Sequence, residues 1–251
     1  MDHAFEGAAA LITGGAAGIG RATALELARR GVRIALVDKS EEAARGTAQD
    51  IEALGGKALV IQADASDEAQ VADSMAQVES AFGGLHFALN NIGGGETGKT
   101  IVTTTLESWN DIIARNLTAA WLAMKHQIPV MERSGGGAIV NTASMAGVSP
   151  MNDASPAYAA AKAGVMHLTR YGARAHAAQR IRINAVAPGL TRTALVKQHL
   201  SDDDVERIVA DSQFIKRACE PEEIAAAIVY LMSPEAAMVT GTTLPVTGGV
   251  P

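Results

Sequence analysis

The sequence predicts a doubly wound α/β protein of three layers, in which helices cover both faces of a parallel sheet of about seven strands. Short apolar runs alternate with helical stretches along the whole chain, which is typical of strand–helix–strand units. Hydrophobic residues make up 48% of the 251 residues but aromatic residues only 4%. A core of Ala, Val, Ile and Leu suits helices packed closely on a parallel sheet, and the length fits one domain over residues 1–251.

The individual elements follow from the spacing of the apolar residues. Apolar runs predict strands at residues 8–13, 33–37, 58–61, 87–90, 138–141, 182–187 and 243–246. Helical periodicity predicts helices at residues 19–30, 41–54, 68–82, 106–131, 156–177 and 221–232. Pro221 supports the start of the last helix, because proline suits the first helical position.

The segment 190–217 interrupts this alternation. It carries a helix start at residues 201–204 and a short amphipathic stretch, and it follows a predicted strand. Ligands bind at the carboxyl ends of the strands in α/β sheets, and mobile segments there often close over them. We therefore expect a substrate lid at about 190–217, with a plain connector as the alternative.

Composition excludes several classes of function. The net charge is −6, from 21 basic and 27 acidic residues, and the chain has no basic tract. We therefore expect neither a nucleic acid nor a membrane as a partner. One cysteine, Cys219, fits a reducing compartment, and no apolar run reaches ~18 residues, so a cytoplasmic location is expected. The six histidines show no paired metal-binding spacing, so no metal is expected.

A glycine-rich loop follows the first predicted strand. The run TGGAAGIG, residues 13–20, stands between that strand and the first helix. Glycines allow a tight turn and a close backbone approach to a pyrophosphate, which the helix N-terminus also favours. Asp38 ends the second strand, where a carboxylate accepts bonds from ribose hydroxyls and repels a 2′-phosphate. This favours NAD(H) over NADP(H), although Lys39 or Arg33 could contact a phosphate and Asp38 could be merely solvated.

Two further strand ends point to the same ligand. Asp64 follows the third strand, where its carboxylate could accept a hydrogen bond from an adenine amine. The fourth strand ends in the run NNIG, residues 90–93, whose glycine leaves room for a ligand.

Tyr158 and Lys162 form the most informative pair in the sequence. Positions four apart lie on one face of a helix, so the ammonium can sit beneath the phenol. Ser155 is a suitable N-cap and Pro156 a suitable first residue, which places Tyr158 in the first turn. A nearby positive charge and the helix dipole both favour the phenolate, so we expect a lowered pKa for Tyr158 and a role in acid–base catalysis.

Together these motifs resemble the short-chain dehydrogenase/reductase family, in its branch of single-domain enzymes of about 250 residues with a Rossmann fold. The resemblance covers nearly the whole chain and implies a catalytic tetrad of Asn116, Ser144, Tyr158 and Lys162. It implies that Tyr158 exchanges the proton, that Ser144 binds the substrate oxygen and that Asn116 holds a water for proton relay.

The resemblance also identifies the residues expected around the two ligands. Those expected at the cofactor are Gly14, Ala17, Gly18, Ile19, Asp38, Asp64, Asn91, Gly93, Tyr158, Lys162, Pro188, Thr191 and Thr193. Those expected at the substrate are Gly95, Met151, Leu190 and Leu195, with packing in the core as the alternative interpretation of the last three.

The function implied is NAD(H)-dependent hydride transfer between a secondary alcohol, or a cyclic diol, and a ketone, a small-molecule substrate in either direction. An NADP-preferring carbonyl reductase and an NAD-binding redox sensor without turnover stay open. An epimerase or dehydratase is disfavoured, because those relatives usually carry a longer C-terminal substrate domain. The family implies a homotetramer.

Overall fold

A computed structural model describes residues 5–149 and 154–249. Its sheet is parallel, with strands β1 to β7 in chain order at Ala9–Thr13, Arg33–Asp38, Ala58–Gln62, Phe87–Asn90, Gly137–Thr142, Ile181–Pro188 and Thr243–Val246. The order across the sheet is β3-β2-β1-β4-β5-β6-β7. β1 lies beside both β2 and β4, so β2 and β3 extend the sheet on one side of β1 and β4 to β7 extend it on the other. This confirms the predicted doubly wound α/β fold, and it puts the strand reversal at the carboxyl ends of β1 and β4, where such sheets bind ligands.

The helices α1 to α9 lie in chain order at Gly18–Arg29, Glu41–Ala53, Glu68–Phe82, Leu106–Ile113, Ala119–Arg133, Pro156–His176, Ala194–His199, Asp202–Ser212 and Pro221–Met232. Single 3₁₀ turns lie at Met145–Gly147, Ala177–Gln179 and Pro234–Ala236. Apolar residues of α1, α2 and α9 pack on one face of the sheet, and those of α3, α5 and α6 pack on the other. The predicted cover on both faces is confirmed.

The predicted helix 106–131 differs in one respect. A π turn at Ala114–Thr118 separates α4 from α5. Such turns often occur at functional sites, and this one contains Asn116. A wider turn fits the same apolar periodicity within a residue, so the spacing alone did not show it.

The segment 190–217 contains α7 and α8. Ser201 and Asp204 form a reciprocal capping box at the start of α8, as the run of acidic residues suggested. Val205 and Val209 of α8 pack with Ala218 and Leu190 in a small apolar cluster of their own. The segment is therefore held by local packing, beside the main core rather than inside it.

Four polar side chains join β4 and β5 to α5 and α6 inside the protein. Asn90 donates to Gln127 Oε1 at 3.1 Å and to Asn141 Oδ1 at 2.9 Å, and Gln127 donates back to Asn90 Oδ1 at 2.7 Å. Asn141 donates to Thr169 Oγ1 at 2.9 Å. All four are at most 2% exposed, so we call this group the buried amide network. It lies directly behind the strand ends that carry the site.

Candidate active site

Tyr158 occupies the first turn of α6, as the sequence predicts. Ser155 is the N-cap, with its Oγ accepting the Tyr158 backbone N–H at 3.3 Å, and Pro156 is the first helical residue. Lys162 follows one turn later, with its Nζ 5.6 Å from the centroid of the Tyr158 ring. The local signals therefore place the pair on one face.

The ammonium of Lys162 points toward the carboxyl ends of β4 and β5. It is 3% exposed and donates to the carbonyl of Ile92 at 3.0 Å and to the carbonyl of Thr142 at 2.9 Å. Burial lowers the pKa of Lys162 from 10.5 to about 8. The two carbonyls, at the ends of β4 and β5, thus fix the lysine beside Tyr158.

The prediction of a lowered tyrosine pKa is wrong for the chain without cofactor. Burial raises the pKa of Tyr158, and the hydrogen bond with Ser144 opposes that rise without cancelling it. Desolvation disfavours the phenolate more than the neighbouring groups favour it. The local spacing of tyrosine and lysine could not show this, since burial is set by the rest of the fold.

Asn116 lies in the π turn and contacts the loop that follows β4. Its Nδ2 donates to the carbonyls of Ile112 at 2.9 Å and Gly94 at 3.1 Å, while its buried Oδ1 accepts no hydrogen bond from the described residues. Gly93 has a φ of +117°, and a Cβ there would lie 1.9 Å from that Oδ1. Only glycine fits, so Gly93 lets Asn116 and Lys162 approach each other with an acceptor left over for a water.

The glycine-rich loop after β1 forms a cradle at the start of α1. Gly14 and Gly18 have positive φ angles, of +63° and +53°. A Cβ on Gly14 would lie 2.2 Å from the Asn91 carbonyl oxygen. The N-cap residue Ala17 supplies no side-chain hydrogen bond, whereas the side chain of Ser155 caps α6. The first N–H groups of α1, which begins Gly18-Ile19, are therefore left for an anion, and this arrangement fits a dinucleotide pyrophosphate.

Asn91 connects this cradle to β5, whose last residue Thr142 holds Lys162. Its backbone N–H donates to Thr13 Oγ1 at 3.1 Å, and its Oδ1 accepts from Thr142 Oγ1 at 3.2 Å. Sequence reasoning missed Thr142, which also holds Lys162. Its position next to Asn141 at the end of a predicted strand was the available signal.

Asp38 is the last residue of β2, and Asp64 follows the end of β3. The Asp38 carboxylate accepts the N–H groups of Ala16 at 3.1 Å and Ser40 at 3.0 Å, so it is oriented toward the cradle. The Asp64 carboxylate pairs with Lys39 Nζ at 2.9 Å. Burial by itself raises the pKa of Asp64, but hydrogen bonds from Lys39 and Ser66 outweigh it and lower the pKa to about 2.

Three residues near β6 were expected at the cofactor. Pro188 ends β6, and Thr191 Oγ1 donates to the Gly189 carbonyl at 3.0 Å. Thr193 caps α7, with its Oγ1 accepting the Val196 N–H at 3.3 Å. A Cβ on Gly18 would lie 3.2 Å from the methyl carbon of Thr193, so the 190–217 segment touches the glycine cradle.

The four predicted substrate residues have different surroundings. Gly95 lies against the Tyr158 ring, since a Cβ there would be 3.0 Å from the ring carbon Cγ. Leu190 packs with the cluster of α8, which matches the core alternative. Met151 lies outside the described residues, as does the side chain of Leu195 in α7. Their contact with a substrate stays a prediction.

Two features are absent from residues 5–149 and 154–249, the part of the chain that the structure describes. No helix there is both long and apolar enough to cross a bilayer. No group of three or more His, Cys, Asp or Glu side chains there has a metal-binding arrangement.

Comparisons with known proteins match this geometry over almost the whole chain. A family model described as enoyl-(acyl carrier protein) reductase, within the short-chain dehydrogenase/reductase family, matches residues 14–251. The cyclohexanol dehydrogenase of Acinetobacter sp. (strain SE19) is 39% identical over 249 residues, which cover 99% of this chain and 96% of that protein. The cis-4-hydroxycyclohexanecarboxylate dehydrogenase of Sinomonas cyclohexanicum is 40% identical over 250 residues, which cover 99% and 98%.

A solved structure agrees with these relatives. The 7α-hydroxysteroid dehydrogenase complexed with NADH and 7-oxo glycochenodeoxycholic acid has a TM-score of 0.92 and 30% identity, covering 98% of this chain and 95% of that chain. The predictions of a Rossmann-type fold and of an oxidoreductase are confirmed. The chain belongs to the short-chain dehydrogenase/reductase family.

Proposed function

We propose that the chain is an NAD(H)-dependent oxidoreductase that interconverts a secondary cyclic alcohol, or cyclic diol, and the corresponding ketone. One observation carries the proposal. Tyr158, Lys162 and Ser144 converge at the carboxyl end of the sheet, which is also where α1 begins without a side-chain cap. The two relatives named for cyclohexane alcohols favour a ring-shaped substrate.

Each catalytic side chain has one task in this proposal. Bound NAD(H) supplies or accepts the hydride. In oxidation, Tyr158 as the phenolate takes the proton from the alcohol hydroxyl while the carbinol C–H bond breaks; in reduction, the phenol returns that proton to the oxygen. Ser144 donates a hydrogen bond to the substrate oxygen, which stabilises the negative charge that develops there.

Lys162 and Asn116 assist the proton transfer without contacting the substrate. The ammonium is held by two carbonyls and faces the Tyr158 ring, so it favours the phenolate when the proton arrives. The unsatisfied Oδ1 of Asn116 could anchor a water beside Lys162, which would carry the proton toward solvent.

Asp38 supports NAD(H) as the preferred cofactor. Its carboxylate is oriented by two backbone N–H groups and faces the cradle, where it would bind ribose hydroxyls and repel a 2′-phosphate. Lys39, one of the two cations that could contact a phosphate, is already paired with Asp64. An NADP-preferring carbonyl reductase is therefore the weaker interpretation.

Three further features belong to the same proposal. The 190–217 segment acts as a substrate lid on a single domain, which is consistent with its separate cluster and its contact with Gly18.

The enzyme is a cytoplasmic homotetramer. Three large apolar side chains on α4 and α5 are exposed, Leu106 at 75%, Trp109 at 38% and Trp121 at 44%, which is compatible with subunit contacts. Light scattering of the purified protein measures that subunit number.

A panel of cyclic and acyclic secondary alcohols and ketones, assayed with NAD(H) and NADP(H), tests the function. We expect turnover of ring alcohols with NAD and its loss by at least about a thousandfold in Tyr158→Phe, because the acid–base group is gone while the cradle is intact. Calorimetry of NAD binding is the control and should give unchanged affinity. Tight NAD binding without turnover on any substrate would instead support a redox sensor.

A further inference from the structure

A run of three glycines and one glutamate crosses the site between β4 and α4. We call Gly93, Gly94, Gly95 and Glu96 the glycine strap. Asn116 Nδ2 holds the carbonyl of Gly94 at 3.1 Å. At the other end, the Glu96 carbonyl accepts the Ser155 N–H at 3.1 Å, and the Glu96 carboxylate accepts the Ser108 hydroxyl at 2.9 Å.

The middle of the strap lies on the catalytic tyrosine. A Cβ added to Gly95 would lie 3.0 Å from Cγ, 3.3 Å from Cδ2 and 3.4 Å from Cβ of Tyr158. The strap backbone therefore lies against the base of the ring.

Glycine is a poor residue for holding such a cover in place. A glycine run has high conformational entropy in the absence of anchors, and it offers no side chains. Glu96 is the strap residue whose side chain makes a contact, and that contact reaches the first turn of α4. The backbone of Glu96 meanwhile reaches Ser155, the N-cap of the helix that carries Tyr158.

We propose that Glu96 is a positioning residue that clamps the glycine strap onto Tyr158 and thereby keeps water from the phenol. The inference rests on the proposed function only in that Tyr158 is the acid–base group. Loosening the clamp hydrates the phenol and favours its ionised form.

Several charged groups surround Tyr158 and must be separated from the clamp. Lys162 lies below the ring on α6, with Nζ 5.6 Å from the centroid. Arg115, on the π turn, approaches the strap at Gly94 and pairs with Asp111 at 3.1 Å. Glu96 itself carries a negative charge, which also disfavours a phenolate nearby. A useful test must remove the clamp and the charge independently.

The experiment is an ultraviolet titration of the Tyr158 phenol in the protein without cofactor. The signal of each variant is corrected by the same variant carrying Tyr158→Phe, which subtracts Tyr171 and Tyr230. Glu96→Ala removes clamp and charge, Glu96→Gln keeps an oxygen for Ser108 but removes the charge, and Ser108→Ala keeps the charge but removes the clamp. Glu107→Gln, which removes a neighbouring carboxylate in the first turn of α4, is the matched control.

We expect Glu96→Ala and Ser108→Ala to lower the pKa of Tyr158 by roughly half a unit or more, since hydration favours the phenolate. Glu96→Gln should lower the pKa of Tyr158 by less than Glu96→Ala, since it removes the charge but keeps the clamp, and Glu107→Gln should titrate like the wild type. In turnover, the pH profile of kcat/KM for alcohol oxidation should move to lower pH by a similar amount in Glu96→Ala, and by less in Glu96→Gln.

Two results would overturn the inference. One is an unchanged titration in both Glu96→Ala and Ser108→Ala. The other is a shift in Glu96→Gln equal to that in Glu96→Ala, which would assign the effect to charge. Because the titration needs neither cofactor nor substrate, absence of turnover in the wild type would contradict the proposed function while leaving the clamp tested. If Glu96→Ala fails to fold, Ser108→Ala still removes the clamp and decides between the same two outcomes.

Discussion

The ends of β2 and β3 and the ends of β4 and β5 hold ionisable side chains in opposite surroundings. Lys39 and Asp64 are 67% and 36% exposed in their side chains, and hydrogen bonds from Lys39 and Ser66 lower the pKa of Asp64. Lys162 is 3% exposed, and burial alone lowers its pKa. Exposed pairs contribute ~0–1 kcal/mol and are screened by salt, whereas burial effects are several times larger. Under the proposed function, cofactor choice would depend on small energies that salt screens, and catalysis on larger energies set by burial.

The largest effect should come from the buried lysine. Its pKa is about 8 in the folded chain against the ordinary lysine value of 10.5 in the unfolded chain, so the unfolded state binds more protons between these pH values. The wild type should therefore gain free energy of unfolding as pH rises through that window, by up to about 3 kcal/mol relative to Lys162→Met. Below the window the folded protein bears the full cost of a buried charge.

Denaturant unfolding of both proteins near pH 8 and near pH 10.5 measures this difference. The carbonyls of Ile92 and Thr142 lose their donor in Lys162→Met, but that loss is the same at each pH and cancels in the slope. Parallel pH curves for the two proteins would show that the lysine is not buried as described.

The pH dependence of turnover should be the next largest effect. Because the pKa of Tyr158 is raised, the phenolate is scarce at neutral pH and becomes more populated as pH rises. We expect kcat/KM for alcohol oxidation to rise by up to about tenfold per pH unit below that pKa, and ketone reduction to fall above it. A profile for oxidation that declines with increasing pH would contradict Tyr158 as the base.

A smaller effect is expected at the exposed end. Asp38→Ala removes the carboxylate that the N–H groups of Ala16 and Ser40 orient. The ratio of NAD to NADP affinity should fall by about tenfold, since one repulsive charge at a partly exposed site is removed. Titration calorimetry with each cofactor measures the ratio, and a wild type that already prefers NADP would refute the role of Asp38.

The smallest effect belongs to the exposed ion pair. Lys39→Ala should change the NAD affinity by less than about fivefold, and the change should shrink further at high salt. Lys39→Met keeps the length of the side chain and should behave alike. A salt-independent loss of NAD affinity of about a hundredfold or more would mean that buried charges also govern the ends of β2 and β3. The contrast with the ends of β4 and β5 would then be wrong.

The sequence predicted those parts of the site that depend on neighbours in the chain. Ser155 and Pro156 define where α6 begins, and the glycine run defines the cradle at α1, because caps and turns are local features. The pairing of Lys39 with Asp64 depends on β2 and β3 lying side by side, and the π turn around Asn116 leaves the apolar spacing almost unchanged. The predicted direction of the Tyr158 pKa shift was wrong because the groups that bury Tyr158, the strap and the carboxyl ends of the strands, belong to other elements.

The buried amide network has a consequence for protein engineering. Asn90, Gln127, Asn141 and Thr169 satisfy one another, so replacing any one of them by an apolar residue leaves an amide or hydroxyl without its partner, at a cost of ~1–3 kcal/mol. Replacing the set together with shapes that pack can be close to neutral. A library that varies these positions singly will mostly return weakened proteins, and one that varies them jointly can reach new sequences behind an unchanged active site.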